Sequence, residues 1–256
     1  MKKQLFFVFT LALCIIVSNS YAHEFIIKPS RLTADIGQKL PLSVLSAHAF
    51  MVSEEIEPID NVKISSINGN SLENIDLKEN KTTLTLDGVA TTAGHKGTTI
   101  LAGHRKGMVW TQTTKGWKQA PKNDCKGVIS SGKYEKFCKA LVRVGKEDKG
   151  YDKVIGHALE IVPVSNPAKA SAGDALDFKI LLNGQPLSTD VYATYDGFSP
   201  LNNTYAYFSQ CGENGIATVK VTQPGTWMVR VQHKIDKPTE EYDAHILRAV
   251  LVFGVN

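Results

Sequence analysis

Short apolar segments separated by turn residues run along most of the chain. Phe25-Ile26-Ile27 stops at Pro29, and Lys39 to Phe50 alternates with Leu40, Leu42 and Val44 on one face. Val62 to Ile67, Leu72 to Leu77, Thr82 to Leu86 and Thr98 to Ala102 follow, broken by Asn68-Gly69, Asp87-Gly88 and Gly94. Strands of this length with turn chemistry between them predict a β-sandwich over 23–115. The pattern resumes at Gly156 with Leu159 to Val164, Leu176 to Leu182, Val191 to Tyr195, Ile216 to Val221, Trp227 to Gln232 and Ile246 to Phe253. Asn183-Gly184 is a strong hairpin signal within that set. The predicted fold is all-β: two sandwiches of immunoglobulin-like or prealbumin-like form, the second over 156–256.

The stretch between them, 116–155, has another character. It is richer in Lys, Gly and Asp, and Tyr134, Phe137, Cys138 and Leu141 fall at i, i+3, i+4 and i+7. That stripe predicts one short helix over Lys133 to Val144, with Lys133, Lys136 and Lys139 toward a solvated face. The segment is expected to connect the two sandwiches.

Residues 1–22 have the layout of a secretory leader. Lys2 and Lys3 open it, Leu5 to Val17 form an apolar core, and Ser20 and Ala22 supply small residues before a cleavage point. Large Leu13 before Cys14 argues against a lipoprotein signal. Cleavage after Ala22 would leave His23 as the first residue of an exported chain. Losing Lys2 and Lys3 lowers the formal charge from +4 to +2. That balance argues against nucleic acid as a partner. Beyond the leader no apolar run approaches the ~20 residues of a membrane span. In an oxidising compartment Cys125 and Cys138 are expected to pair, leaving Cys211 odd.

A first-residue histidine carries an α-amine and an imidazole able to close one chelate ring on a nickel, copper, cobalt or zinc ion. Such a chelate leaves positions open, so further donors are expected among seven histidines. His48 ends the strand from Leu40, near Glu54 and Glu55, which could complete an oxygen-rich site. His104 follows Ile100 and Ala102 on one face. His233 shares a face with Trp227, Val229 and Val231 and would reach a site only between closing domains. The candidate metal ligands are thus His23, His48, His104 and His233. His95, His157 and His245 show no paired-ligand spacing such as His-Glu-x-x-His. There is no nucleophile elbow, phosphate loop or Cys-x-x-Cys, so no catalytic residue is assigned and an enzyme is not expected.

"AHEFIIKPSRL", "GKYEKFCKALVRVG" and "GHALEIVPVSNPAKASAGDALDFKILLNGQPL" resemble a family of bacterial periplasmic proteins of largely uncharacterised function. That family is associated with nickel uptake and named after the substrate-specific component of nickel transporters. The resemblance implies a periplasmic protein handling Ni2+ or Co2+ for a membrane metal transporter, with His23 as its amino-terminal histidine. Two other readings stand beside it: a Cu2+ carrier or redox enzyme with a histidine brace, and an envelope interaction module without metal.

Overall fold

A computed structural model describes residues 23–92, 94–147 and 149–256. The leader and its cleavage point therefore lie outside the described residues. The described chain is built of strands: β1 (Glu24–Pro29), β2 (Thr33–Ala34), β3 (Lys39–Ala47), β4 (Val62–Asn68), β5 (Ser71–Asn74) and β6 (Lys78–Asn80). β7 (Thr85–Thr91), β8 (Gly97–Thr113), β9 (Gly116–Lys118), β10 (Val128–Val144), β11 (Leu159–Pro163) and β12 (Ala175–Leu182) follow. β13 (Gln185–Pro186), β14 (Asp190–Tyr195), β15 (Tyr207–Gln210), β16 (Ile216–Lys220), β17 (Gly225–Ile235) and β18 (Ala244–Val255) complete it. The all-β fold is as the alternation predicts.

A ten-stranded sheet with the path β15-β14-β17-β18-β10-β8-β4-β5 forms the middle layer. Sheet β1-β3-β7-β6 covers one face, and β11, β12, β13 and β16 cover the other. Because side chains alternate across a strand, the middle sheet feeds two cores. Phe137 and Leu141 of β10 join Trp227, Val229, Phe178 and Phe253 on one side. Cys138, Ala140 and Val142 join Phe25, Ile27, Leu42 and Leu86 on the other. There are two sandwiches, and they share a sheet.

Three expectations are corrected here. Lys133 to Val144 is not a helix but part of β10, bonded to β8 on one side and to β18 in parallel on the other. Both its faces are buried, which makes its apolar residues nearly continuous, as in interior strands. Lys136 and Lys139 are not solvated, with 5% and 2% exposure; they pair with Glu57 and Glu160, each at 2.8 Å. Third, Cys125 and Cys138 form no disulfide. Cys125, Cys138 and Cys211 are free thiols, and Cys138 is buried in β10, where its Sγ accepts the Ile27 N–H at 3.3 Å.

Turn signals fare unevenly. Asn183-Gly184 joins β12 to β13 with φ of 49° and 78°, the left-handed pair that a two-residue hairpin needs. Asp87-Gly88 instead lies within β7. Ile75 Cγ2 would stand only 2.8 Å from a Cβ at Gly88, so glycine here serves close packing.

Candidate metal centre

The β1–β3 ladder pairs Glu24 with Ala47. One step beyond the paired residues, the same register sets His23 against His48, and their ring centroids are 3.9 Å apart. After His48 the chain doubles back: Val52 N–H bonds Ala49 O at 3.1 Å, and Met51 takes φ 67°. Glu54 N–H then bonds Ser46 O at 2.9 Å, and Ser46 and Glu55 form a bridge. This return delivers two carboxylates to the histidine pair. Glu54 Oε1 accepts the His48 backbone N–H at 2.9 Å. Glu54 Oε2 lies 2.8 Å from His48 Nδ1 and 3.3 Å from His23 Nε2. Glu55 Oε1 lies 3.0 Å from His23 Nδ1.

One donor atom from each of His23, His48 and Glu54 lies within 4.8 Å of the others, a grouping able to hold a metal ion. Electrostatics fit that use. Burial opposes a charge on His23, but the hydrogen bond and charge of Glu55, with the charge of Glu54, outweigh it and the opposing charge of Lys136; the net shift is upward from 6.5. The His23 hydrogen bond leads in pushing the Glu55 carboxyl down to about 2. Burial alone would raise Glu54, yet the hydrogen bonds from the His48 side chain and backbone bring it below the usual carboxylate range.

Behind the centre lies a buried charge layer. Arg105, Lys136 and Arg248 stand side by side across β8, β10 and β18 in one register row. Glu57 and Glu24 face them: Lys136 Nζ meets Glu57 Oε1 at 2.8 Å, and Arg230 Nε meets Glu24 Oε1 at 2.8 Å. Ser46 Oγ lies 3.2 Å from Glu57 Oε1 and 3.1 Å from Glu55 Oε1, joining this layer to the metal candidates.

The family described as domain of unknown function DUF4198 matches residues 20–235. The chain belongs to this family. The family description names no metal, and no curated protein matches the sequence. Among solved structures, the D0-D1 domain of intimin is similar over 91% of this chain and 99% of that one, at 13% identity and a TM-score of 0.23. A DUF4785 family protein from Legionella pneumophila is similar over 80% of this chain and 50% of its own, at 8% identity and a TM-score of 0.29. Neither likeness bears on function.

Of the four ligand candidates, the fold brings His23 and His48 together. His104 belongs to another cluster: its Nε2 lies 2.6 Å from Glu135 Oε1, while His245 Nε2 lies 2.9 Å from Glu135 Oε2. The β8–β10 register shifts between Tyr134 and Lys136, a bulge at Glu135. The His104 ring also stacks on Phe137 at 5.0 Å. His233 is partly exposed on β17, opposite Leu247, and joins neither cluster. Glu54, which the sequence offers only as a possible oxygen donor near His48, is the third member of the grouping.

Proposed function

We propose that this chain is an exported transition-metal-binding protein of the periplasm, taking Ni2+ or Co2+ as its cargo. The observation that carries the reading is the meeting of His23, His48 and Glu54 within 4.8 Å. Two imidazole nitrogens and a carboxylate oxygen form a borderline donor set suited to such ions. The meeting is specific, since it needs a ladder register, a tight return and a histidine immediately before β1. The leader-like sequence of residues 1–22 and the nickel-associated resemblance of the mature start support export and handover to a membrane transporter. Among the described residues no helix is long and apolar enough to cross a membrane, which is compatible with a carrier.

Calorimetric titration of the chain beginning at His23 with Ni2+ tests the proposal. Wild type is expected to bind one ion, and His48→Ala and Glu54→Gln to weaken binding at least tenfold. Wild-type affinity in both variants would sink it.

A second reading is a copper protein in which the α-amine and imidazole of His23 form a brace with His48. The 3.9 Å approach of the two rings favours it. Copper outranks nickel in intrinsic affinity at most nitrogen sites, so tighter Cu2+ binding would not by itself decide between the readings. Oxidant-dependent turnover of a polysaccharide, lost in His48→Ala, would.

A further inference from the structure

We infer that Glu55 fixes the tautomer of His23, so that a metal ion meets this ring through Nε2 and not through Nδ1. The inference rests on the metal reading above and names the donor atoms of that site.

An ionised carboxylate only accepts hydrogen bonds. Glu55 Oε1 stands 3.0 Å from His23 Nδ1, so the proton of a neutral His23 belongs on Nδ1. The lone pair of that tautomer lies on Nε2, which faces Glu54 Oε2 at 3.3 Å. In the imidazolium a second proton on Nε2 meets that oxygen; in the neutral ring a metal ion can take the place of this proton. His48 Nδ1 borders the same oxygen at 2.8 Å, so an ion that displaces the protons facing Glu54 would be shared by His23, His48 and Glu54. Metal-bound histidines usually donate their second ring N–H to a carboxylate, and Glu55 supplies that partner.

Glu55 is held in place from two directions. Its backbone is bridged to Ser46, and its carboxylate lies 3.1 Å from Ser46 Oγ. Ser46 is fully buried and also touches Glu57, which Lys136 anchors to the central strand. The shared sheet thus sets the carboxylate that sets the imidazole.

This arrangement separates the two metal readings. Only Nδ1 can close a six-membered ring with the residue's own α-amine, and Glu55 occupies Nδ1. With the ring prevented, the centre offers Nε2, a second imidazole and a carboxylate, a mixed N/O set for Ni2+, Co2+ or Zn2+ rather than an amine chelate for Cu2+. Glu55 is a positioning residue that determines specificity.

The test is long-range proton–nitrogen NMR of the 15N-labelled chain beginning at His23, with diamagnetic Zn2+ as probe. In wild type, Zn2+ is expected to shift His23 Nε2 while Nδ1 keeps its proton. Glu55→Gln retains an accepting oxygen and is expected to behave likewise. Glu55→Ala frees Nδ1 and is expected to move Zn2+ onto it. Coordination through Nδ1 in wild type, or through Nε2 in Glu55→Ala, overturns the role of Glu55. If Zn2+ shifts neither ring in wild type, the metal reading itself falls along with the inference.

Discussion

His157 packs against Phe137 with 5.1 Å between ring centroids, in a setting that penalises charge. Burial, the largest cause, lowers it to about 4, with Lys139 and His104 adding to the effect and Glu160 opposing it. The unfolded chain takes up a proton near 6.5 and the folded chain does not until about 4. Stability therefore is full above pH 6.5 and falls as pH drops toward 4. From pH 7 to pH 5 the loss is on the order of 2 kcal/mol. Urea midpoints at the two values should separate accordingly, and His157→Phe should narrow the gap; an unchanged gap would contradict the assignment. His23 is shifted the other way, upward from 6.5. Protons therefore compete for its nitrogen at a higher pH than at an ordinary histidine. Nickel affinity should drop about tenfold per pH unit below that raised value. In Glu55→Gln, which keeps the accepting oxygen but removes the carboxylate charge that helps raise His23, the drop should begin at lower pH. Titrations across pH 5–8 read both onsets directly.

At the scale of the element, β10 decides how the sandwiches are held. Two of its three lysines are paired on opposite faces, Lys136 to Glu57 and Lys139 to Glu160. Glu160 also accepts the N–H groups of Ile155, Gly156 and His157, tying the approach to β11 onto the shared sheet. Removing one partner of such a pair strands a buried charge, so Lys136→Met should cost about 3–5 kcal/mol. The double variant Lys136→Met with Glu57→Leu should recover only part of that loss in denaturant titration, because buried Arg105 then loses Glu57, 3.6 Å from its Nε. Equal loss in the double and single variants would show that the pair is not the source. Gly103 tests packing on the same side. A Cβ there would come within 2.9 Å of the tips of Ile27 and Ile64, so Gly103→Ala should cost about 1–3 kcal/mol.

The same strand shows where sequence reading succeeds and fails. Strands with one wet face, such as β12 with its alternation of buried and partly exposed residues, were legible. β10 was not, because periodicity tests assume that lysine marks solvent. Lys139 and Lys136 are buried against glutamates 21 and 79 residues away, which local spacing does not reveal. His23 and His48 were legible as candidates, one from the end of the leader-like stretch and the other from a strand end. Their meeting was not, because it depends on the β1–β3 register. His104 showed a strand phase like that of His48, and its carboxylate partner comes from a bulge, which leaves no periodic trace.

Across the whole molecule, the shared sheet implies that the two sandwiches unfold together. Each core lines one face of the same β8, β10, β17 and β18 strands, so neither can dissolve without stripping the sheet that supports the other. A linker between separate domains would permit two transitions; a common layer should impose one. Reporters exist on both sides. Trp227, with 0% exposure, lies in the core against β12. Cys138 lies in the core against β1, its thiol pushed up to about 12 by burial and so protected from alkylation while folded. In a chain with Trp110 and Trp117 replaced by Phe, Trp227 fluorescence follows the first core. Alkylation at Cys138, located by peptide mass, follows the second. The urea midpoints should coincide, and residues 156–256 expressed alone should lack the sharp transition because β18 has lost β10. Separated midpoints, or a cooperative melt of that fragment, would mean that the sheet is divisible. The candidate ligands would then answer to the first sandwich alone, although Asn203 N–H from the second bonds the His48 carbonyl at 3.0 Å.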